Sequence, residues 1–138
     1  MPVSATLTKF TDEDFRLYPA VFGSFSNYTI VSEYRAKIEI NVKFKKGATV
    51  KFLGDLDKYR WSVCETYSLS NHYSGSFIDT GWNRTWVDET STYTTTLDEG
   101  YLVLCVNIIN RDGKETKFTE EDLSTLHNLF EVKGWYYL

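Results

Sequence analysis

Between residues 37 and 44 the chain reads KIEINVKF. Ile38, Ile40, Val42 and Phe44 fall on one side of an extended backbone, and Lys37, Glu39, Asn41 and Lys43 on the other. That alternation predicts a strand with one dry face and one wet face. KKGATVKFLG follows, with Gly47 marking a turn and Val50 and Phe52 returning inward. YRWSVCETY, SGSFIDTGW, STYTTTL and GYLVLCVNII extend the pattern along the chain. DEG before Tyr101 and NRDGKE after Ile109 supply turn chemistry, because Asp and Asn tolerate turn conformations and Gly supplies positive φ. Short strands at a spacing of roughly 8–12 residues predict an antiparallel sandwich or barrel.

Two segments interrupt the strands. TKFTDEDF begins at Thr8 and TKFTEEDL at Thr116, but the sequences between them do not match, which excludes a duplicated domain. Both are helix-start devices. Thr11 and Thr119 can cap a first turn, and acidic residues follow where the helix dipole favours them. Asp14 and Asp122, three residues on, make each a variant of the capping box. The second start leads into EEDLSTLHNLF, with Leu123, Leu126 and Phe130 at helical spacing, and predicts a short helix over 120–128. The first predicts one turn over 12–16, since Pro19 lies close behind.

The chain of 138 residues suits a single domain, 1–138, able to bury its own core. Apolar and charged fractions of 42% and 25% argue against wholesale disorder. A net charge of −4 argues against a general nucleic-acid or anionic-membrane binder. No apolar run reaches membrane-spanning length, and MPVSATLTKFTDEDF lacks the basic start and apolar stretch of a signal peptide. Synthesis in the cytoplasm, or excision from something larger, is the expectation. Cys64 and Cys105 each sit in a strand-like run and read as buried free thiols, with a cross-strand disulfide as the alternative. Without histidines at ligand spacing they do not make a zinc site.

Catalytic candidates are poor. His72 and His127 are far apart in sequence, and no nucleophile elbow, zinc helix or phosphate loop is present. Asp79, Asp88 and Glu89 could in principle pair for glycoside cleavage, but acids in loops are commonly solvated surface. No acidic loop has calcium-ligand spacing. The expectation is a protein without catalysis, cofactor or metal.

Composition changes the picture at one point: aromatics make up 17% of the chain, as ten Tyr, nine Phe and four Trp. Tyr and Trp are also over-used at binding surfaces. Pyranose rings pack their C–H patches on aromatic faces, while their hydroxyls want short polar side chains beside them. The stretch SNHYSGSFIDTGWNRTW, residues 70–86, has that mixture in Asn71, His72, Tyr73, Asp79, Trp82, Arg84 and Trp86. If residues 82–86 are extended, Trp82, Arg84 and Trp86 share a face, with the two indoles roughly 13 Å apart at about 3.3 Å per residue. An arginine on that face favours a groove open to water over a dry core. Trp61, in mid-strand, reads as core. Trp135, in GWYYL, reads as an anchor for the last strand or a cover for an edge.

FGSFSNYTIVSEYRAKIEINVKFKKGATVKF, DKYRWSVCETYS, DTGWNRTW and DEGYLVLCVNIINRDGKETKFTEEDLSTL follow one another in a recognisable course. Over about residues 22–133 this course is similar to β-sandwich modules of tail and baseplate proteins of phages that infect Gram-positive bacteria, and to related bacterial surface or carbohydrate-active proteins. The resemblance implies a jelly-roll sandwich and carbohydrate binding, in adhesion to a host cell-wall polysaccharide, and brings no catalytic motif. The expected fold is therefore an all-β antiparallel sandwich of jelly-roll type with one short helix near the C-terminus. The expected partners are a cell-wall polysaccharide or oligosaccharide and other phage tail subunits, at the virion or cell surface as part of a larger protein. Trp82 falls at the family's Gly-Trp position, which favours a packing role; Trp86 has no place in the pattern and is the better ligand ring. The alternative is a structural or protein-docking sandwich that binds no sugar.

Overall fold

The computed structural model describes residues 7–23, 33–56, 58–67, 76–80, 92–109 and 115–137; of residues 76–80, 109 and 115 it describes the backbone. Among the described residues the strands are β1 (Leu7–Phe10), β2 (Ala20–Phe22), β3 (Ala36–Lys45), β4 (Thr49–Phe52), β5 (Tyr59–Thr66), β6 (Ser76–Thr80), β7 (Thr92–Thr94), β8 (Glu99–Ile109), β9 (Glu115–Thr116) and β10 (Phe130–Tyr137). They pair antiparallel in the order β6-β5-β8-β3-β10-β4-β7, with β1 added to β10, β2 to β3 and β9 to β8. The chain is mostly β, as the alternation predicts.

The sheet turns a corner. Phe130–Lys133 of β10 pair with β4, whereas Tyr136 and Tyr137 pair with β3 and Gly134–Tyr137 with β1. β3 and β4 are thus one run along β10, broken by the turn at Gly47, whose φ of 97° suits glycine. β7 and β8 form a third such run: β7 pairs with β4, β8 with β3, and between them Lys46 N–H donates to Asp98 O and Thr95 N–H to Ala48 O. Three adjacent chains bend at the same level, and the sheet nearly closes over its own inner face. At the bend Gly134 faces Ala48 so closely that a Cβ there would lie 2.6 Å from the Ala48 Cβ.

The core fills the fold. Ile38, Ile40 and Phe44 of β3 are buried, Val42 packs against them, and Val50, Phe52, Leu102, Leu104 and Val106 join from neighbouring strands. The alternation read at 37–44 therefore holds its register. Trp61 is fully buried, as expected, with its ring stacked on Phe52 at 5.6 Å and 7°. This stack joins β5, on one side of the bend, to β4 on the other.

Both capping boxes form: Thr11 and Thr119 accept from the N–H groups of Asp14 and Asp122, whose carboxylates accept in return. The first starts α1 (Asp12–Phe15), a single turn. The second starts α2 (Glu120–Thr125), which tightens into a 3-10 turn at Leu126–Leu129. These cover the helix predicted over 120–128, and Phe130 opens β10 opposite Phe52. The tighter turn ends the helical spacing one residue before it.

Trp135 is 52% exposed on its side of β10, with Lys9 of β1 as its backbone partner. Cys64 and Cys105 are buried thiols not joined in a disulfide, as read from the sequence. In the β5–β8 register Cys64 lies opposite Val103 and Cys105 opposite Ser62, so the two are diagonal and not facing. Burial, then the charge of Glu65, pushes the Cys64 thiol up to about 11, which keeps it out of thiolate chemistry at neutral pH.

The bend predicts a specific sensitivity. Gly134→Ala should lower stability by about 1–3 kcal/mol, the usual cost of overpacking. Adding Ala48→Gly should recover part of that loss, read as coupling in a double-mutant cycle of urea midpoints. Additive effects would mean that the close approach is not what Gly134 is there for.

Candidate functional site

Asn71, His72, Tyr73, Trp82, Arg84 and Trp86 lie outside the described residues, as do Asp88 and Glu89. Asp79 belongs to β6 at the position opposite Ser62 of β5. Among the described residues a different surface gathers the same kinds of side chain.

It begins with a fault in the β3–β8 ladder. Ile40 pairs with Leu102 and Phe44 with Gly100, so Asn41, Val42 and Lys43 together face the single residue Tyr101. Such a bulge bends its strand and leaves part of the ladder unmade. A depression of about 590 Å³ opens there, lined by Asn41, Val42, Lys43, Glu99, Tyr101, Tyr136 and Tyr137. Its rings come from β8 and β10, on either side of β3. At about 4.8 Å between strands, Tyr101 and Tyr137 stand roughly 10 Å apart across the sheet. Trp135, two residues before Tyr137, falls on the same face by alternation and extends the row of rings.

A second depression of about 450 Å³ adjoins the first and shares Asn41 with it; Tyr18, Pro19, Val21, Lys37 and Glu39 complete its lining. Lys37 Nζ donates to Glu39 Oε1 at 3.0 Å, with the lysine side chain only 12% exposed. The wet face of the predicted 37–44 strand is thus the floor of both depressions. Over β5 and β8 the corresponding face is closed, since Cys64, Val103 and Cys105 are buried. The accessible part lies over β3 and β10.

The buried carboxylate Glu65 belongs to the fold. It is 1% exposed, on the core side of β5 with Trp61 and Val63. One oxygen accepts from the N–H groups of Thr96 at 2.8 Å and Leu97 at 2.7 Å, the other from Thr96 Oγ1 at 3.1 Å and from the Tyr93 hydroxyl. Glu65 on β5 is tied in this way to the segment that makes the bend between β7 and β8. Burial, then the hydrogen bond to Glu65, pushes the Tyr93 phenol up to about 12. Tyr93 is half-buried and packs against the core, the inward placement that alternation with Thr95 and Leu97 suggests. His127 is also structural: a ring nitrogen lies 2.8 Å from Tyr18 O, and the imidazole stands edge-on to Phe15 at 5.0 Å.

The smaller depressions, of about 200 and 270 Å³, flank the 3-10 turn, and their Phe15, Phe118 and Phe130 are buried in the core. Among the described residues no three His, Cys, Asp or Glu side chains gather as around a metal ion. No family model, curated protein or solved structure matches this chain.

Sequence reasoning named the wet face of β3 but did not make it a site. Tyr101, Tyr136 and Tyr137 were missed because their strand neighbours are set by tertiary pairing. A possible signal was GWYYL, where three consecutive rings in a strand cannot all face one core.

The Glu65 tie predicts a linked pair of outcomes. Glu65→Ala strands buried donors at about 1–3 kcal/mol each and should destabilise severely, whereas Tyr93→Phe should cost about 1.5 kcal/mol. The pH effect has a definite sign. The Tyr93 pKa is raised on folding, so its contribution is fully present below about 10, the unfolded value, and falls away between pH 10 and about 12. Urea midpoints should decline over that window, and less so in Tyr93→Phe. An equal decline in both proteins would assign the alkaline loss to other groups.

Proposed function

We propose that this chain is a non-catalytic carbohydrate-binding module of jelly-roll type, serving adhesion to a Gram-positive cell-wall polysaccharide as part of a phage tail or surface protein. One observation carries the reading: at the β3 bulge, tyrosine rings from β8 and β10 flank Asn41, Lys43 and Glu99 in an open depression. Rings offer faces to sugar C–H patches, and the amide, ammonium and carboxylate offer donors and acceptors to the hydroxyls around them. Largely apolar walls with a few convergent polar groups are the ordinary make-up of a small-ligand site. The motif course from residue 22 to 133 supports the same reading. The shared bend of β10, β3–β4 and β7–β8 supports the jelly-roll assignment, since bends of this kind let one sheet become two facing ones.

The polar groups suit binding more than bond cleavage. Glu99 is exposed at the rim, and Glu65 spends its lone pairs on the fold. The residue 70–86 stretch remains part of the proposal as a second set of rings, with Trp86, Arg84 and Tyr73 the first to test.

Titration of purified cell-wall polysaccharide separates the two surfaces. A single stacking ring contributes about 1 kcal/mol, so Tyr101→Ala and Tyr137→Ala should each weaken binding about fivefold. Their melting temperatures should stay near that of the parent protein. Trp86→Ala in the same titration reports on the 70–86 stretch. If no cell-wall polysaccharide from candidate hosts binds the parent protein, the carbohydrate reading fails and a docking role takes its place.

A further inference from the structure

β3 has different neighbours along one edge. β2 covers it at Ala36–Ile38 and β10 at Lys43–Phe44. Among the described residues no strand pairs with that edge from Glu39 to Val42. The gap has a cause: β10 spends Phe130–Lys133 on β4 and reaches β3 only with its last turn of ladder, while Pro19 ends the approach to β2 from the other side. The two depressions meet at this gap, and exposed Asn41 is common to both.

The shared floor runs along β3 from Lys37 to Lys43, a length of about 20 Å at ~3.3 Å per residue. That is well beyond one or two pyranose rings. Aromatic side chains stand at both ends, Tyr18 at one and Tyr101 with Tyr137 at the other. Between them lie alternating polar groups, Lys37, Glu39 and Asn41, and a backbone edge of β3 with which no described strand pairs. A floor of this form offers repeated hydrogen-bonding groups to a linear ligand, and stacking faces only where its ends would rest.

Resting on the carbohydrate reading above, we infer that the two depressions are one groove that binds an extended stretch of a polysaccharide chain, several sugar units long, and not a single sugar.

The test uses cell-wall polysaccharide cut by mild acid and fractionated by size, titrated into the intact protein. Affinity should rise with fragment length until fragments span both depressions, then level off. Val21 lines the far depression, is 43% exposed and stands outside the core, so Val21→Gln should leave folding unchanged. It should weaken long fragments about fivefold to tenfold and leave short ones unaffected, whereas Tyr137→Ala should weaken both. Glu39→Ala should behave as Val21→Gln does. Binding that is strong but flat with length, and indifferent to Val21→Gln and Glu39→Ala, would overturn the single groove and leave the carbohydrate reading standing. Failure of every fragment and of the intact polysaccharide to bind would overturn that reading and the groove together.

Discussion

Phe130–Lys133 of β10 hydrogen-bond to β4, and from Gly134 onward the same strand belongs to β1 and β3. The change of neighbours is possible because a hydrogen in place of a side chain at Gly134 admits Ala48 against the backbone. That approach helps β4 and β7 to fold over the inner face of β5 and β8. The Trp61–Phe52 stack and the Glu65–Tyr93 tie both benefit from it, because each joins residues on opposite sides of the bend. One is apolar contact and the other a buried carboxylate with four donors, yet both draw on the same steric allowance. A fully satisfied buried network of this kind rigidifies its surroundings, and here it holds Thr96 and Leu97 at the turn from β7 into β8.

The candidate groove follows from the same strand. Because half of β10 is committed to β4, too little remains to cover the length of β3. The bulge at Asn41–Lys43 and the gap between β2 and β10 both fall where the ladder is thinnest. A bulge in a fully covered sheet would be a packing fault. At an edge that no described strand covers, it becomes a concavity with polar side chains on its floor.

What could be read from the sequence was whatever depends on local order. The period-two pattern at 37–44 located a strand and its faces, and the two Thr-x-x-Asp boxes located both helix starts, because alternation and capping are settled within a few residues. The extent of the C-terminal helix was legible too, but not that Phe130, which keeps helical spacing with Leu123 and Leu126, pairs with Phe52 in the sheet. Nor was Trp135, since its exposure depends on which face of β10 meets the core. The groove was half legible. Lys37, Glu39, Asn41 and Lys43 announced a wet face, but the rings that give it chemical character lie some 58 and 94 residues away and arrive by strand pairing. The mixture of rings and polar groups in residues 70–86 drew attention because it is contiguous, and contiguity is what a sequence displays best.

The aromatic excess then has a division of labour. Phe10, Phe44, Phe52, Trp61 and Phe130 are buried and pack ring against ring across the core. Tyr101, Tyr137 and Trp135 stand on the outer side, where a phenol or indole can meet water with its polar end. Tyr136 belongs to both sets. It lines the depression, yet stands edge-on to Phe10 at 5.8 Å and tilted against Phe44 at 6.4 Å. The floor of the groove is therefore continuous with the core beneath it, and a ligand resting there would lie over a surface whose rotamers are already fixed by packing. On the proposed reading, ordering costs that a loop site would meet on binding would be met here in folding, which is the physical advantage of building a binding face on strands.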